Sequence, residues 1–333
     1  MFTKSFTASS HSASCSLIAL LTTYILYRTV YIVVAGDCVM IVVTAPTGNI
    51  GRQLLDHLVN GDEPVRVIAR DPARLPENIR ESVDVIVGSH GDAEVVSEAF
   101  DGADSVFWLV PPDPKAASLD EAYSGFSRPA CDAFVAQGVK RVVSISALGR
   151  GTSVAGRAGH VTASLAMDDL IASTGVAFRA LTMPSFMDNL LGQAGAIKER
   201  GMFFSPMVPD RKFPTCATAD IAAAAANLLL DHGWTGQGHI AVLGPEDLSF
   251  DEMAVILSET IGRSVAFQQI PMDAFAQRIA GFGMSEVIVQ GYVDMMTAKN
   301  EGLDNAEPRT AGATSPTSFR TWCETILKPA ILG

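Results

Sequence analysis

The sequence predicts an α/β fold: a doubly wound parallel sheet carrying a small C-terminal α/β lobe. Two observations carry this. Between residues 40 and 183, short β-branched runs alternate with helix-length amphipathic segments, the pattern of βαβ units. The strand candidates are also near-continuously apolar, as in VVSIS at 142–146, which suits strands covered by helices on both faces. Six strands are expected, at 41–44, 65–69, 83–87, 105–110, 141–146 and 178–181. Beyond 183 the pattern loosens into a helix at 219–230, a strand at 239–242, a helix at 250–261 and a strand at 265–269. A small-residue loop at 305–315 then precedes a last helix at 316–327. The expected division is an extension over 1–39, a sheet domain over 40–184 and a lobe over 185–333 that interleaves with the sheet domain.

The 333 residues are 48% hydrophobic, ample for a large core, and carry a formal charge of -12. That charge excludes a polyanionic partner such as nucleic acid, which needs a lysine and arginine footprint to displace counterions. Cys15, Cys38, Cys131, Cys216 and Cys323 lie far apart, with no CxxC pair and no histidine at zinc-ligand spacing, so no metal is expected. The extension holds an apolar run at 16–35 long enough to cross a bilayer. Arg28 interrupts it, Asp37 precedes Cys38, and the first strand starts at Met40 with almost no linker. The reading taken is translation from Met40 and a cytoplasmic protein; a membrane anchor through 16–35 is the alternative.

The stretch Thr44-Ala45-Pro46-Thr47-Gly48-Asn49-Ile50-Gly51 joins a strand to a helix, the setting in which a glycine pattern signals a Rossmann-like dinucleotide site. Gly48 lets the backbone approach a pyrophosphate, and Gly51 lets the helix pack close to the strand. The amides around Thr47 to Ile50 direct the positive end of the helix at the anion. Ala45 and Pro46 stand where the usual first glycine would be. The second strand ends in Arg70, where an NAD-binding fold places an acid for the ribose 2′-hydroxyl. A guanidinium there suits a 2′-phosphate, with Arg74 assisting, so NADP(H) is expected in preference to NAD(H). The plainer reading of Arg70 is a solvated strand-end cation beside Asp71.

These residues resemble the NmrA-like family of atypical short-chain dehydrogenase/reductase proteins, from Met40 to near Pro329. TAPTGNIG resembles the family's TGATGxxG, and VRVIARDPARL its second strand. SVFWLVPP and RVVSISALG resemble its fourth and fifth strands, and SFMDN its F-M-E-N element. ATADIAAAAANLL and LGPEDLSFDEMAVILSETIGR are similar to its lobe segments. The resemblance implies a coenzyme held by Thr47, Gly48, Asn49, Ile50 and Arg70; Thr44, Ala45 and Gly51 of the same turn are counted with them as coenzyme-binding candidates. It implies Val110 and Pro111 under the adenosine and ribose, and Ser146, Met183, Pro184 and Phe186 at the nicotinamide end.

The wider superfamily uses a Tyr-x-x-x-Lys pair on the helix after the fifth strand, yet no tyrosine or lysine lies between 147 and 179. His160, Ser164 and Asp168 share a face of that helix at four-residue spacing. His160 is a candidate proton donor, or else a helix-start histidine without chemical duty. Asp168 and Asp169 read as a solvated face. Ser146 is the other catalytic candidate, unless it merely satisfies backbone groups. Phe186, Met187, Met202, Phe203, Phe204 and Met207 suggest either lobe packing or an apolar pocket, with Phe186, Met187 and Asn189 touching substrate. Two functions follow. One is an NADPH-dependent oxidoreductase acting on a small apolar acceptor such as a quinone, enone or imine; the other is a non-catalytic NADP(H)-responsive regulator acting through a protein partner.

Overall fold

The computed structural model describes residues 39–333; the run at 16–35 and the choice of start lie outside them. Strands and helices alternate through β1 (Met40–Val43), α1 (Asn49–Leu58), β2 (Val65–Ala69), α2 (Glu77–Ser82), β3 (Asp84–Val87), α3 (Ala93–Phe100), β4 (Ala103–Trp108), α4 (Phe126–Ala136), β5 (Arg141–Ala147), α5 (His160–Ser173) and β6 (Ala177–Met183). The remainder forms β7 (Ser185–Phe186), α6 (Ala194–Arg200), β8 (Met202–Ser205), β9 (Phe213–Cys216), α7 (Thr218–Leu230), β10 (Gln237–Ala241), β11 (Asp247–Leu248), α8 (Phe250–Ile261), β12 (Ala266–Gln269), α9 (Met272–Ala280), α10 (Glu286–Asn300), α11 (Phe319–Trp322) and α12 (Lys328–Leu332).

The main sheet has seven parallel strands in the order β10-β6-β5-β4-β1-β2-β3. Six were expected. The seventh, β10, comes from the second half of the chain, which returns along α7 and pairs with β6 in the register His239 to Ala180. Strand order reverses between β1 and β4, so the carboxyl ends of these two strands splay and open a crevice, the usual ligand position in such sheets.

Both sheet faces are dry, which is why the strands read as unbroken apolar runs. Phe100 of α3, Phe134 of α4 and Met167 and Ile171 of α5 cover Val106, Trp108 and Val142 on one face. On the other, Leu54 and Leu55 of α1 meet Ile221 and Ala225 of α7 over Ile41, Val43 and Phe107. Fully burying one such side chain contributes roughly 1.5–3 kcal/mol. The lobe is built on the β11-β9-β7 sheet and the β12-β8 pair, with Phe203, Leu257, Phe319 and Trp322 at its centre. Its closing helices start later than expected, at Ser318, whose hydroxyl caps the Thr321 amide at 3.1 Å. Among the described residues no helix is long and apolar enough to cross a membrane, and no group of three or more His, Cys, Asp or Glu is placed to hold a metal.

Candidate functional site

The crevice is shaped first by Thr44. Its hydroxyl donates to the Phe107 carbonyl at 2.9 Å and accepts the Leu109 amide at 2.9 Å, tying β1 to β4. Its side chain is therefore committed to the sheet and not turned toward the crevice. The next residue, Ala45, takes a φ of 49°, the left-handed conformation that the missing glycine would adopt without strain. Gly51 sits so close above it that a Cβ would lie 2.2 Å from the Ala45 carbonyl oxygen. Gly48 caps α1 and offers no side-chain hydrogen bond, which leaves the first-turn amides open to an anion.

In front of this turn lies a cavity of about 410 Å³. Gly48, Asn49 and Ile50 form one wall, and Leu109, Val110, Ile145 and Ser146, at the ends of β4 and β5, form the floor. Tyr123, His160 and Ser164 close one side; Phe186, Asp188, Asn189 and Met295 close the lobe side. Other expected contacts lie elsewhere. Arg70, Arg74 and Pro111 are exposed beyond the cavity, at the open ends of β2 and β4, and Thr47 is half-buried in the turn. The Met183 side chain is buried in the core and Pro184 is buried beside it, so of the 183–186 turn only Phe186 faces the cavity.

His160 is buried, with Nε2 3.0 Å from the Ile288 carbonyl and Nδ1 3.2 Å from the Tyr123 hydroxyl. A carbonyl only accepts, so Nε2 carries the proton and Nδ1 accepts from Tyr123. Burial holds the imidazole pKa below its usual value and keeps it neutral. Both ring nitrogens are thus engaged within the protein, and Tyr292 packs on the ring with centroids 4.2 Å apart. Ser146 Oγ donates to Asp168 Oδ2, and Ser144 Oγ donates to Asp168 Oδ1 at 3.2 Å.

Asp168 corrects an expectation. It is only 3% exposed and is not part of a solvated face; its neighbour Asp169 does face solvent, paired to Arg150 at 2.9 Å. Burial pushes the Asp168 carboxyl up to about 7 against the opposing pull of the two serines and of Arg150, 3.9 Å away.

A second, largely apolar cavity of about 480 Å³ adjoins the first, and Phe186, Asn189 and Met295 line both. Of the methionines and phenylalanines singled out, Phe186, Met187, Phe204 and Met207 line it. Phe203 is instead buried in the lobe core, and Met202 lies on β8 outside the cavity. Phe250, Tyr292 and Met296 complete its wall from α8 and α10. The sequence carried no signal for Tyr123, Tyr292 or Met295, because a helical position says nothing about which distant segment it will meet. Asp188 was also missed: its carboxylate accepts the Thr218 amide at 3.0 Å and hydroxyl at 2.7 Å, fastening the lobe to α7.

Comparison with known proteins gives a consistent picture. The profile of the NmrA-like family matches residues 39–325. The NAD(P)H azoreductase of Xenophilus azovorans is 29% identical over 247 residues, 74% of this chain and 82% of that protein. In fold, the chain is similar to the NADPH-dependent quinone oxidoreductase of Escherichia coli complexed with NADPH. Their TM-score is 0.69 at 21% identity, covering 84% of this chain and 97% of that one. It is also similar to NmrA, a negative transcriptional regulator, in complex with NADP, with a TM-score of 0.65 at 14% identity over 87% and 96% of the two chains.

Proposed function

Because this chain belongs to the NmrA-like family, we propose that it is an NADPH-dependent reductase of a small, largely apolar acceptor such as a quinone, enone or imine. The observation that carries this is the continuity of the two cavities across Phe186, Asn189 and Met295. One has the uncapped helix turn that an anionic diphosphate requires, and the other has the apolar walls that a flat acceptor requires. The name of the Xenophilus relative, an NAD(P)H azoreductase, supports the same reading.

The residues present fit the coenzyme. The amides of Asn49 and Ile50, with Gly48 leaving room for the approach, would hold the diphosphate; Val110 and Pro111 would lie along the adenosine and ribose side. Arg70 and Arg74, exposed at the end of β2, would take the 2′-phosphate. When bound, the reduced nicotinamide supplies a hydride, and orientation of donor against acceptor provides most of the catalysis. Phe186 and Met187 position the acceptor and, with the lobe aromatics, exclude water from it; Asn189 offers it a polar contact.

The test is anaerobic oxidation of NADPH against a panel of quinones, enones, imines and aldehydes, with turnover expected for the apolar members. The lack of any tyrosine or lysine between 147 and 179 favours a second reading, a coenzyme-responsive regulator. Tight NADPH binding without turnover of any panel member would select it. Arg70→Ala is expected to weaken NADPH binding by about tenfold while leaving NADH binding unchanged, a loss of about 1.4 kcal/mol. Fluorescence titration of both coenzymes checks this, and an undiminished preference for NADPH would remove Arg70 from the site.

A further inference from the structure

Two cavities meet at the end of β5, where Ala147 lines both and the Ser146–Asp168 pair runs from one to the other. Ser146 lines the cavity proposed above for the coenzyme, at the end assigned to the nicotinamide. Its hydroxyl is bonded to Asp168. Asp168 in turn lines a third cavity, of about 310 Å³, between α5 and the strands β6 and β10. That cavity opens at the sheet edge, where the Arg150 and Asp169 side chains are 48% and 68% exposed. Its wall is partly polar: Gln237, His239 and Glu307 contribute to it beside Leu148 and Phe178, as does Thr182, whose buried Oγ1 has no hydrogen-bond partner in the protein. A partly polar space of this size admits ordered water and offers it partners. His160, which also lines the coenzyme cavity, has both nitrogens engaged within the protein, by Tyr123 and by the Ile288 carbonyl.

We propose that Ser146 and Asp168 form a proton inlet to the reduced acceptor, fed from solvent through the cavity between α5, β6 and β10. The proposal rests on the reductase reading. The acceptor gains two electrons and one hydrogen as the hydride, which leaves negative charge on its oxygen or nitrogen. With Asp168 protonated, its Oδ2–H donates to Ser146 Oγ, which turns the Ser146 hydroxyl from Asp168 toward the acceptor; Ser146 gives up that hydroxyl proton to the charged atom, forming the new O–H or N–H bond. As it does so it takes the proton of the Asp168 carboxyl, so the Asp168 O–H bond breaks and the Ser146 O–H bond is restored. The Asp168 carboxylate then takes a proton from water in the third cavity, and the cycle closes. Ser146 is the catalytic residue; Asp168 acts through it as a positioning and supply residue.

The surroundings of Asp168 agree with this duty. Burial keeps its carboxyl protonated to near neutral pH, with a value of about 7. Ser144 and Ser146 face it from β5, Thr182 lines the same cavity from β6, Arg150 faces it from the loop after β5, and Asp169 adjoins it on α5; His239 and Glu307 stand at the cavity's outer edge. Of the charged groups, Arg150 favours the carboxylate and Asp169 opposes it.

Two measurements on the full chain test the inlet. Carboxyl ¹³C NMR of aspartate-labelled protein without coenzyme should show one resonance titrating near pH 7. Asp168→Asn should remove it, and Ser146→Ala should move it to higher pH, because the carboxylate loses a donor. Single-turnover reduction with an acceptor from the panel should lose rate in the parent as Asp168 deprotonates. It should fall about 10²-fold in Asp168→Asn and Ser146→Ala, with that pH dependence gone and, in Asp168→Asn, NADPH affinity retained; Asp168→Glu should restore the pH-dependent limb. Turnover in Asp168→Asn with the parent's rate and pH profile would overturn the inlet and leave the reductase reading standing, as would the lack of any carboxyl titrating near neutrality. No turnover by the parent overturns the reductase reading and the inlet with it.

Discussion

Asp168→Asn is expected to stabilise the protein, and by an amount that grows with pH. In the unfolded chain the carboxyl ionises near 3.8; in the folded protein it does so near 7. A carboxyl with a raised folded value contributes stability that is fully present below its unfolded pKa and lost as pH rises through the folded one. Between those values the unfolded chain releases a proton that the folded chain keeps, so the parent weakens across this window. Asparagine keeps a carbonyl oxygen that accepts from one of Ser144 and Ser146, donates its NH2 to the hydroxyl oxygen of the other, and does not titrate. The gain should therefore be about 1–2 kcal/mol at pH 5 and reach about 4 kcal/mol above pH 7. His90, whose pKa burial lowers to about 4, imposes the opposite trend as pH falls from 6.5. That trend is common to parent and variant and cancels in the comparison. Urea midpoints of both proteins at pH 5 and pH 8 check the prediction. An equal difference at the two pH values would show that Asp168 is ionised in the folded state throughout. A gain in stability with a loss of turnover is what a buried functional carboxyl implies, since its environment serves the reaction at the expense of the fold.

The fold was legible because its demands fall on residue types. Strands buried on both faces must be apolar throughout, and a helix that starts against a strand end must have a residue without a side chain at Gly51. At the candidate site, the turn from Gly48 to Ile50 and the residues Val110, Ser146, His160, Phe186 and Asn189 were picked out in the sequence and line one cavity. Where side chains act, the sequence left choices that packing made. Asp168 and Asp169 are neighbours on a helix and point about 100° apart, so one faces in and one out; Ser144 and Ser146 on the adjacent strand decide which. Thr44 reads as a turn residue, yet two hydrogen bonds across the switch point commit it to β4. His160 was found by its spacing, but its condition depends on a hydroxyl 37 residues before it and a carbonyl 128 residues after it. No local pattern encodes such a pairing. β10 was recognised as a strand but not as a member of the main sheet, because strand propensity carries no information about the partner.

Gly51→Ala and Gly48→Ala, three residues apart in one turn, are expected to fail in different ways. At Gly51 a Cβ would stand 2.2 Å from the Ala45 carbonyl oxygen, 2.9 Å from Pro46 Cα and 3.0 Å from the Ala45 carbonyl carbon. All three are backbone atoms, and neither residue can yield: Ala45 already occupies the left-handed region at φ 49°, and the Pro46 ring fixes its own φ. The strain has to be relieved by lifting α1 from the sheet, which loosens the packing of Ile50, Leu54 and Leu55 on Ile41, Val43 and α7. Overpacking of this kind costs about 1–3 kcal/mol, and a clash with fixed backbone belongs at the upper end. Displacement of α1 also moves the amides that would hold the diphosphate, so NADPH binding should fall with stability. At Gly48 the residue is extended, with φ -81° and ψ 171°, and a Cβ would meet only the Ala45 oxygen at 3.4 Å, an ordinary contact. Gly48→Ala should therefore unfold within about 1 kcal/mol of the parent, the difference being the poorer helix cap. The methyl group nonetheless enters the space a diphosphate would occupy, and NADPH affinity should drop tenfold or more, about 1.4 kcal/mol. Thermal unfolding and calorimetric titration of both variants separate the two effects. A Gly48→Ala protein that binds NADPH as tightly as the parent would mean that this turn does not hold the diphosphate.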